Sequence, residues 1–435
     1  MKKILGSLLS VSLCFGLFAC NKKTDSKTNK KTTNKTSATT TTKAKTTSMD
    51  INTDNPEYQS TFTPIVSDSL PRIDINSNDN STDFATVPTR ENKWDYVGCK
   101  VSVTNGSEVE LNAVAAGVKA RGNYTVNNPK KPFRIKFEKK QSMLGLHDGE
   151  KYKSWLLLAA YKDWSYLRDA TAFYLAHKLS DDYVSDFRLV NLYINNQFWG
   201  VYLLCEQQEV KSGRVSITEP WMLEDETYYT GTEIGYFLEY DGYYYEEAAL
   251  EQFTVNYRPI ESYDETSISE FQNGFTIKSD IYSEAQNTFI KNYMQKTFDI
   301  CYDAILNNEY YEFNSTYSST SKSSTIKNSY EAISKVVDID SLVNAYILAE
   351  ITCDADFAYS SFYMDVDFGE NGDKLLRFEA PWDYDSGFGN TIACLDAEGI
   401  YAANVLTYLH GEKHMNPWYA LFMHADWFRQ LVKDK

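Results

Sequence analysis

Lys130-Lys131-Pro132-Phe133-Arg134-Ile135-Lys136-Phe137 alternates apolar and charged residues with a period of two. In a strand that period sets Phe133, Ile135 and Phe137 on one face and Arg134 and Lys136 on the other. The charged face suits a solvated surface as well as a row of cations aimed at a triphosphate. Working outward, short apolar runs broken by Asn, Asp, Ser and Gly predict further strands over Tyr96 to Val103 and Gly117 to Ala120. Trp155-Leu156-Leu157-Leu158 marks a buried strand within Ser154 to Ala160. Leu189 to Ile194 and Phe198 to Cys205 flank Asn195-Asn196, a pair that tolerates positive φ, which predicts a β-hairpin. Asp163 or Ser165 can cap a helix over 165–179 between them.

The second half reads differently. Residues 215–285 are irregular and rich in Tyr, Glu and Gly, with strands expected at Ile234 to Tyr240 and Phe275 to Ser279. Helices are expected over Ala285 to Asn307, Asp340 to Thr352 and Ala425 to Val432, with a Ser/Thr/Lys-rich surface loop at 312–327. In the second helix Leu342, Ala345, Tyr346 and Ala349 share one face. The last helix meets no cap or breaker before Lys435, which reads as a truncated C-terminus.

The formal net charge is −17, unevenly placed. Residues 1–50 hold ten lysines and two aspartates, so +8 precedes a body near −25. So acidic a body argues against nucleic acid as a partner and suits a basic protein. Lys2 and Lys3 followed by an apolar run from Ile4 to Ala19 read as a secretory signal, too short to span a bilayer. It ends Leu17-Phe18-Ala19-Cys20, which resembles a bacterial lipobox and makes Cys20 the candidate acylation site of a surface lipoprotein outside the cytoplasm. Residues 21–55 are Lys, Thr, Ser and Asn with almost no apolar content, and read as a flexible stalk. The folded part then occupies 56–435. The later cysteines Cys99, Cys205, Cys301, Cys353 and Cys394 are widely spaced without a CxxC, and are expected as buried thiols.

Four carboxylates carry the chemistry. Asp354-Ala355-Asp356 closes a predicted helix, and Pro381-Trp382-Asp383-Tyr384-Asp385-Ser386-Gly387 follows a short apolar strand expected at Leu375 to Ala380. Oxygen-only donors suit Mg²⁺ or Mn²⁺ rather than zinc. Arg121 in Arg121-Gly122-Asn123 ends a strand and can grip phosphate with both nitrogens. Glu206 ends the hairpin, where it can orient a strand lysine or stay exposed. Arg168 lies in the first turn of its helix, placed equally for an ion pair and a ligand contact.

In chain order these residues resemble the spore coat protein H (CotH) kinase family. The resemblance rests on Arg121-Gly122-Asn123-x-Thr125, Lys131-Pro132-Phe133-Arg134-Ile135-Lys136, Ser142-Met143-Leu144-Gly145-Leu146, Trp155-Leu156-Leu157-Leu158-Ala159, Leu167-Arg168-Asp169, Gly200-Val201-Tyr202-x-x-x-Glu206 and Trp382-Asp383-x-Asp385. It implies an α+β, atypical protein-kinase-like fold, with a β-rich N-lobe over about 56–215 and a mainly helical C-lobe over about 285–435. It implies transfer of phosphate from ATP, with Mg²⁺, to Ser or Thr of a protein. Asp356 takes the place of the catalytic base, Asp383 of the principal metal ligand and Asp385 of its support. Lys136 is the expected phosphate-binding lysine, Glu206 its partner, and Arg121 and Arg168 further phosphate contacts. Ser360-Ser361-Phe362-Tyr363 departs from the family where an Asn is common, and 220–250 reads as an insertion. Two other readings predict different things. A metal-dependent glycosyltransferase-like enzyme using Asp383-x-Asp385 predicts a parallel βαβ sheet ahead of the motif. A non-catalytic surface-binding lipoprotein predicts binding indifferent to Asp356 and Asp383.

Overall fold

Seven strands close on themselves in the first half of the chain. They are β1 (Arg72–Ser77), β2 (Val97–Asn105), β3 (Glu108–Ala120), β4 (Phe133–Gln141), β5 (Tyr152–Leu158), β6 (Phe187–Ile194) and β7 (Gln197–Glu206). Their order around the barrel is β1-β2-β3-β4-β5-β7-β6, and closure comes from the parallel pairing of β6 with β1, Arg72 opposite Asn191 and Ile75 opposite Ile194. The computed structural model describes residues 69–180, 182–222, 228–261, 267–268, 273–391, 401–404, 407–409 and 412–435. The signal, Cys20, the stalk and Cys394 lie outside them.

The period of two in β4 is realised as expected. Phe133, Ile135 and Phe137 point inward and are buried with Ile73, Val101, Val118, Trp155, Val190 and Leu204. Burying each such side chain contributes about 1.5–3 kcal/mol, and Trp155→Ala would cost about 3–5 kcal/mol through the cavity it leaves. Polar tips inside the barrel are met: Tyr202 Oη donates to the Lys131 carbonyl at 3.1 Å and Trp155 Nε1 to that of Gln141 at 3.2 Å. The β6–β7 hairpin turns at Asn195 and Asn196 with φ of 47° and 62°.

Helix α1 (Arg168–Leu179) lies on the outside of this barrel. Ala172, Phe173 and Ala176 pack on the outward side chains of Leu156, Leu158, Leu203 and Cys205. The far side of this layer is closed by Leu348 and Trp382 from the second half.

That half is not mainly helical. Four strands, β8 (Gly235–Asp241), β9 (Gln252–Phe253), β10 (Gly274–Ile277) and β11 (Phe362–Asp367), form an antiparallel sheet in the order β11-β8-β10-β9. Around it stand α2 (Glu284–Tyr302), α3 (Ile339–Thr352), α4 (Pro417–Phe422) and α5 (Asp426–Asp434). The fold is thus β-rich, with a closed barrel and a second sheet, and the kinase-like division into a β N-lobe and a helical C-lobe is overturned. Every residue of β8 is buried, so the strand shows no alternation, and its partner β11 lies more than a hundred residues away in sequence. The strand expected at Ile234 to Tyr240 is thus β8, and the one expected at Phe275 to Ser279 overlaps β10, both inside the stretch read as otherwise irregular. Residues 311–313 and 320–322 form a small hairpin where a loop was expected. Leu375 to Ala380 is not a strand but an extended segment joined by single bridges at Leu376 and Arg377. The helices expected over 285–307 and 340–352 begin within a residue of α2 and α3; Ser283 and Gln286 form a capping box on α2, and the Asp338 side chain accepts from Ser341 N at 3.1 Å on α3. Among the strands named here only β6–β1 is parallel, so the βαβ sheet of a glycosyltransferase-like enzyme is absent from the described residues.

Candidate active site

The C-terminus of α3 delivers the first carboxylates. Cys353 turns the chain with φ 47°, and Asp354, buried behind it, accepts from Asp356 N at 3.2 Å and from Ser386 Oγ. Asp356 opens a short 3₁₀ turn. The second carboxylate segment, 381–390, is held by its neighbours at several points. Tyr384 N donates to Asp169 Oδ1 of α1 at 2.8 Å, and Phe388 N to the Thr352 carbonyl of α3 at 2.6 Å. Arg168 Nε donates to the Gly387 carbonyl at 3.0 Å. A Cβ on Gly387 would stand 3.0 Å from the Thr352 carbonyl and 3.4 Å from Asp354 Cβ, so only glycine lets the two segments approach. Ser361, Ala380, Asp383 and Phe388 all take left-handed φ between 49° and 67°. Non-glycine residues persist there only where surrounding contacts impose it.

Five carboxylates consequently stand close together, Asp169 and Asp354 buried and Asp356, Asp383 and Asp385 half-buried. Burial, and then their mutual repulsion, pushes Asp356 and Asp169 well above the usual carboxylate range. Asp354 and Asp385 are each pushed up to about 7, burial leading in both. Asp383 is raised by burial, with Arg121 pulling it back and Ser361 Oγ 3.4 Å from its Oδ2. Charge repulsion on this scale calls for a cation, and oxygen donors favour a hard one. Among the described residues no three acidic, His or Cys side chains converge as a finished ligand cage.

Beside the carboxylates runs a cleft of about 540 Å³ between the outer face of the barrel and the second sheet. Lys119, Arg121 and Arg134 line it from the barrel, Lys278 and Tyr363 from the sheet, and Trp382 from the carboxylate segment. Arg121 lies 5.5 Å from the centre of the Trp382 ring. Its turn is braced by Lys93, whose Nζ donates to the Gly122 carbonyl and to Asn123 Oδ1, both at 2.7 Å. On the opposite wall Lys278 Nζ is 2.7 Å from Glu239 Oε2, and Glu239 Oε1 accepts from Ser361 N at 3.0 Å. Lys278 is held above its usual range because Glu239 outweighs the effect of burial.

The structure brings Asp356, Asp383, Asp385 and Arg121 together. It does not bring Lys136 to Glu206. Lys136 is exposed on the outer face of β4, 6.0 Å from the Tyr96 ring centre, and Glu206 is fully buried two strands away. Glu206 accepts from Arg214 Nε at 3.0 Å and from Asp186 N at 3.0 Å, and lies 3.2 Å from His147 Nδ1. Arg168 is engaged structurally: it binds Asp163 and the Gly387 carbonyl. Sequence reasoning passed over Glu239, Lys278 and the role of Asp169. Each stands in a legible run, Phe237-Leu238-Glu239, Ile277-Lys278 and Arg168-Asp169, but their meeting depends on the register Ile277 opposite Leu238 and on the docking of α1.

A carboxylate cluster beside Arg121, at the end of a cleft that Lys119, Arg134 and Lys278 also line, is the equipment of phosphate chemistry. Residues 118–435 match the model of the CotH kinase protein family, and the chain belongs to that family. No curated protein matches it. Kinases in general use a nucleotide and a divalent cation.

Proposed function

We propose that this chain is a protein kinase that moves the γ-phosphoryl group of ATP, with Mg²⁺, to Ser or Thr hydroxyls of secreted or surface proteins. The observation that carries the reading is the massing of Asp354, Asp356, Asp169, Asp383 and Asp385 beside Arg121, which also lines the cleft together with Lys119, Arg134 and Lys278. Asp356 takes the proton of the attacking hydroxyl as the new O–P bond forms. The bond from the γ-phosphorus to the bridging oxygen breaks, and ADP leaves with that oxygen. Lys278, oriented by Glu239, and Arg121 lie against the phosphates and offset the charge that develops there. Asp383, with Asp385 beside it, would hold Mg²⁺, which would supply positive charge to offset that of the phosphates. Ser361 orients Asp383 in the place where the family often has an Asn.

The test is transfer of radiolabelled phosphate from ATP to a protein acceptor, with Mg²⁺ and with chelator. Label must be lost in Asp383→Asn and in Asp356→Asn; retention in both sinks the assignment. We also place the protein outside the cytoplasm, held by acylated Cys20. Cys20→Ser must then move it from the membrane fraction to the soluble one.

A further inference from the structure

Four cations crowd the outer face of β3 and β4 and the turn that follows β3. Lys119 and Arg134 are directly opposite in the β3–β4 register, Arg121 is two residues beyond Lys119, and Lys136 two beyond Arg134. Steps of two keep Arg134 and Lys136 on one face, away from the barrel core. Like charges directly across a strand pair are destabilising, and here the Trp94 carbonyl, 3.5 Å from Lys119 Nζ, and the charge of Asp95 offset them only in part. No carboxylate among the described residues lies within ion-pair distance of these four side chains. Arg134 Nε is buried without a hydrogen-bond partner. Burial, and then Arg134, pulls the Lys119 ammonium below its usual range.

The strip also has a floor. Lys119 Nζ lies 5.9 Å from the Trp94 ring centre and 5.0 Å from that of Tyr96, and Trp94 is 64% exposed. Gly117 makes room for this: a Cβ there would meet the Tyr96 side chain at 3.1 Å. The row begins at Arg121, beside Asp383, and runs out of the cleft to Lys136, which does not line it. A nucleotide seated against Arg121 and Lys278 leaves its outer end free.

We propose that this strip is the acceptor-docking site of the kinase, and that it recognises an anionic peptide segment, phosphoserine or clustered Glu, flanking the hydroxyl to be modified. Guanidinium and ammonium groups on a rigid sheet are the usual device for such motifs. The inference rests on the kinase reading and reverses the expectation, drawn from a body near −25, that the substrate is basic. Net charge describes the whole surface, whereas a ligand feels the local field.

The experiment uses fluorescent Ser peptides flanked by phosphoserine, Glu, Lys or neutral residues. Binding is read by anisotropy at fixed salt, without nucleotide and then with saturating ATP and Mg²⁺. The anionic peptides should bind at least tenfold tighter than the neutral one, and ATP should not displace them. The double variant Lys119→Glu/Lys136→Glu should lose that preference. It should also fold, since a carboxylate at position 119 would face Arg134 and Lys136 is exposed. Equal affinity for all peptides, a preference that survives the double variant, or displacement by ATP overturns the proposal. So does an oligonucleotide that outcompetes the peptides. Anionic-peptide binding by a protein that transfers no phosphate supports the strip and counts against the kinase reading.

Discussion

Replacing Arg168 by Ala separates two roles that its sequence setting left equal. Its guanidinium binds Asp163 through Nη1 and the Gly387 carbonyl through Nε at 3.0 Å. The Asp163 side chain is 2% exposed, so removing its partner approaches the loss of a buried ion pair, about 3–5 kcal/mol. Asp163 keeps three donors, Ser165 N at 3.0 Å, Ser165 Oγ at 2.6 Å and Arg168 N at 2.9 Å, which lowers the cost. About 3 kcal/mol remains once the hydrogen bond to Gly387 is included. For a chain of this size that is a fall in Tm of roughly 5 °C. Burial raises the Asp163 pKa but its hydrogen bonds outweigh it, so the folded value lies below the normal 3.8. Stability from a depressed carboxylate is present above 3.8 and lost as pH falls through the folded value, so the gap between wild type and variant should narrow in acid. The loosened 381–390 segment misplaces Asp383 and Asp385, and kcat should fall about a hundredfold while KM for ATP holds within about twofold. Thermal unfolding monitored by circular dichroism and steady-state kinetics decide. An unchanged Tm with KM for ATP raised tenfold would show that Arg168 binds phosphate and that the structural account is wrong.

Asp383→Asn should lower phosphoryl transfer on the order of a thousandfold. At pH 8 without divalent cation it should also raise Tm, because one of five repelling charges is gone; a lower Tm would contradict the repulsion. Asp354 and Asp385, held near 7 against a normal 3.8, bind more protons folded than unfolded. Their stability is therefore full in acid and lost as pH climbs from about 4 through 7. The rise in Tm on adding Mg²⁺ should accordingly be larger at pH 8 than at pH 5, and calorimetry showing equal rises would rule out binding at this cluster. Lys278→Ala should raise KM for ATP about tenfold, with Lys278→Arg recovering most of it because a guanidinium can still reach Glu239. Full affinity for ATP in Lys278→Ala would remove this lysine from the site.

The elements that were legible are those whose signal is local. β4 shows itself by its period of two, the β6–β7 turn by Asn195-Asn196, and α3 by the shared face of Leu342, Ala345, Tyr346 and Ala349. β8 is buried on both faces and carries no period, and β11, its partner, lies far along the chain. The strand at Ile234 to Tyr240 was therefore legible as a run but not its place between β10 and β11, and 220–250 reads as an insertion although β8 within it is the middle of a sheet. Lys136 and Glu206 each stood in a plausible place, but chain order cannot tell that one points to solvent and the other into the interior.

From its sequence alone the protein was bound to have an acidic body, a β-rich first half and two pairs of aspartates on chain turns. Composition and near-neighbour spacing suffice for those, because they need only the residues themselves and their immediate backbone. Only the tertiary structure closed β6 on β1, set Lys278 against Glu239 and turned Arg168 into a brace. It also brought Asp169 to the other carboxylates and lifted their pKa values together. Burial and the distance between charges decide such effects, and both come from contacts between segments separated along the chain, from about 40 residues for Glu239 and Lys278 to more than two hundred for Arg168 and Gly387.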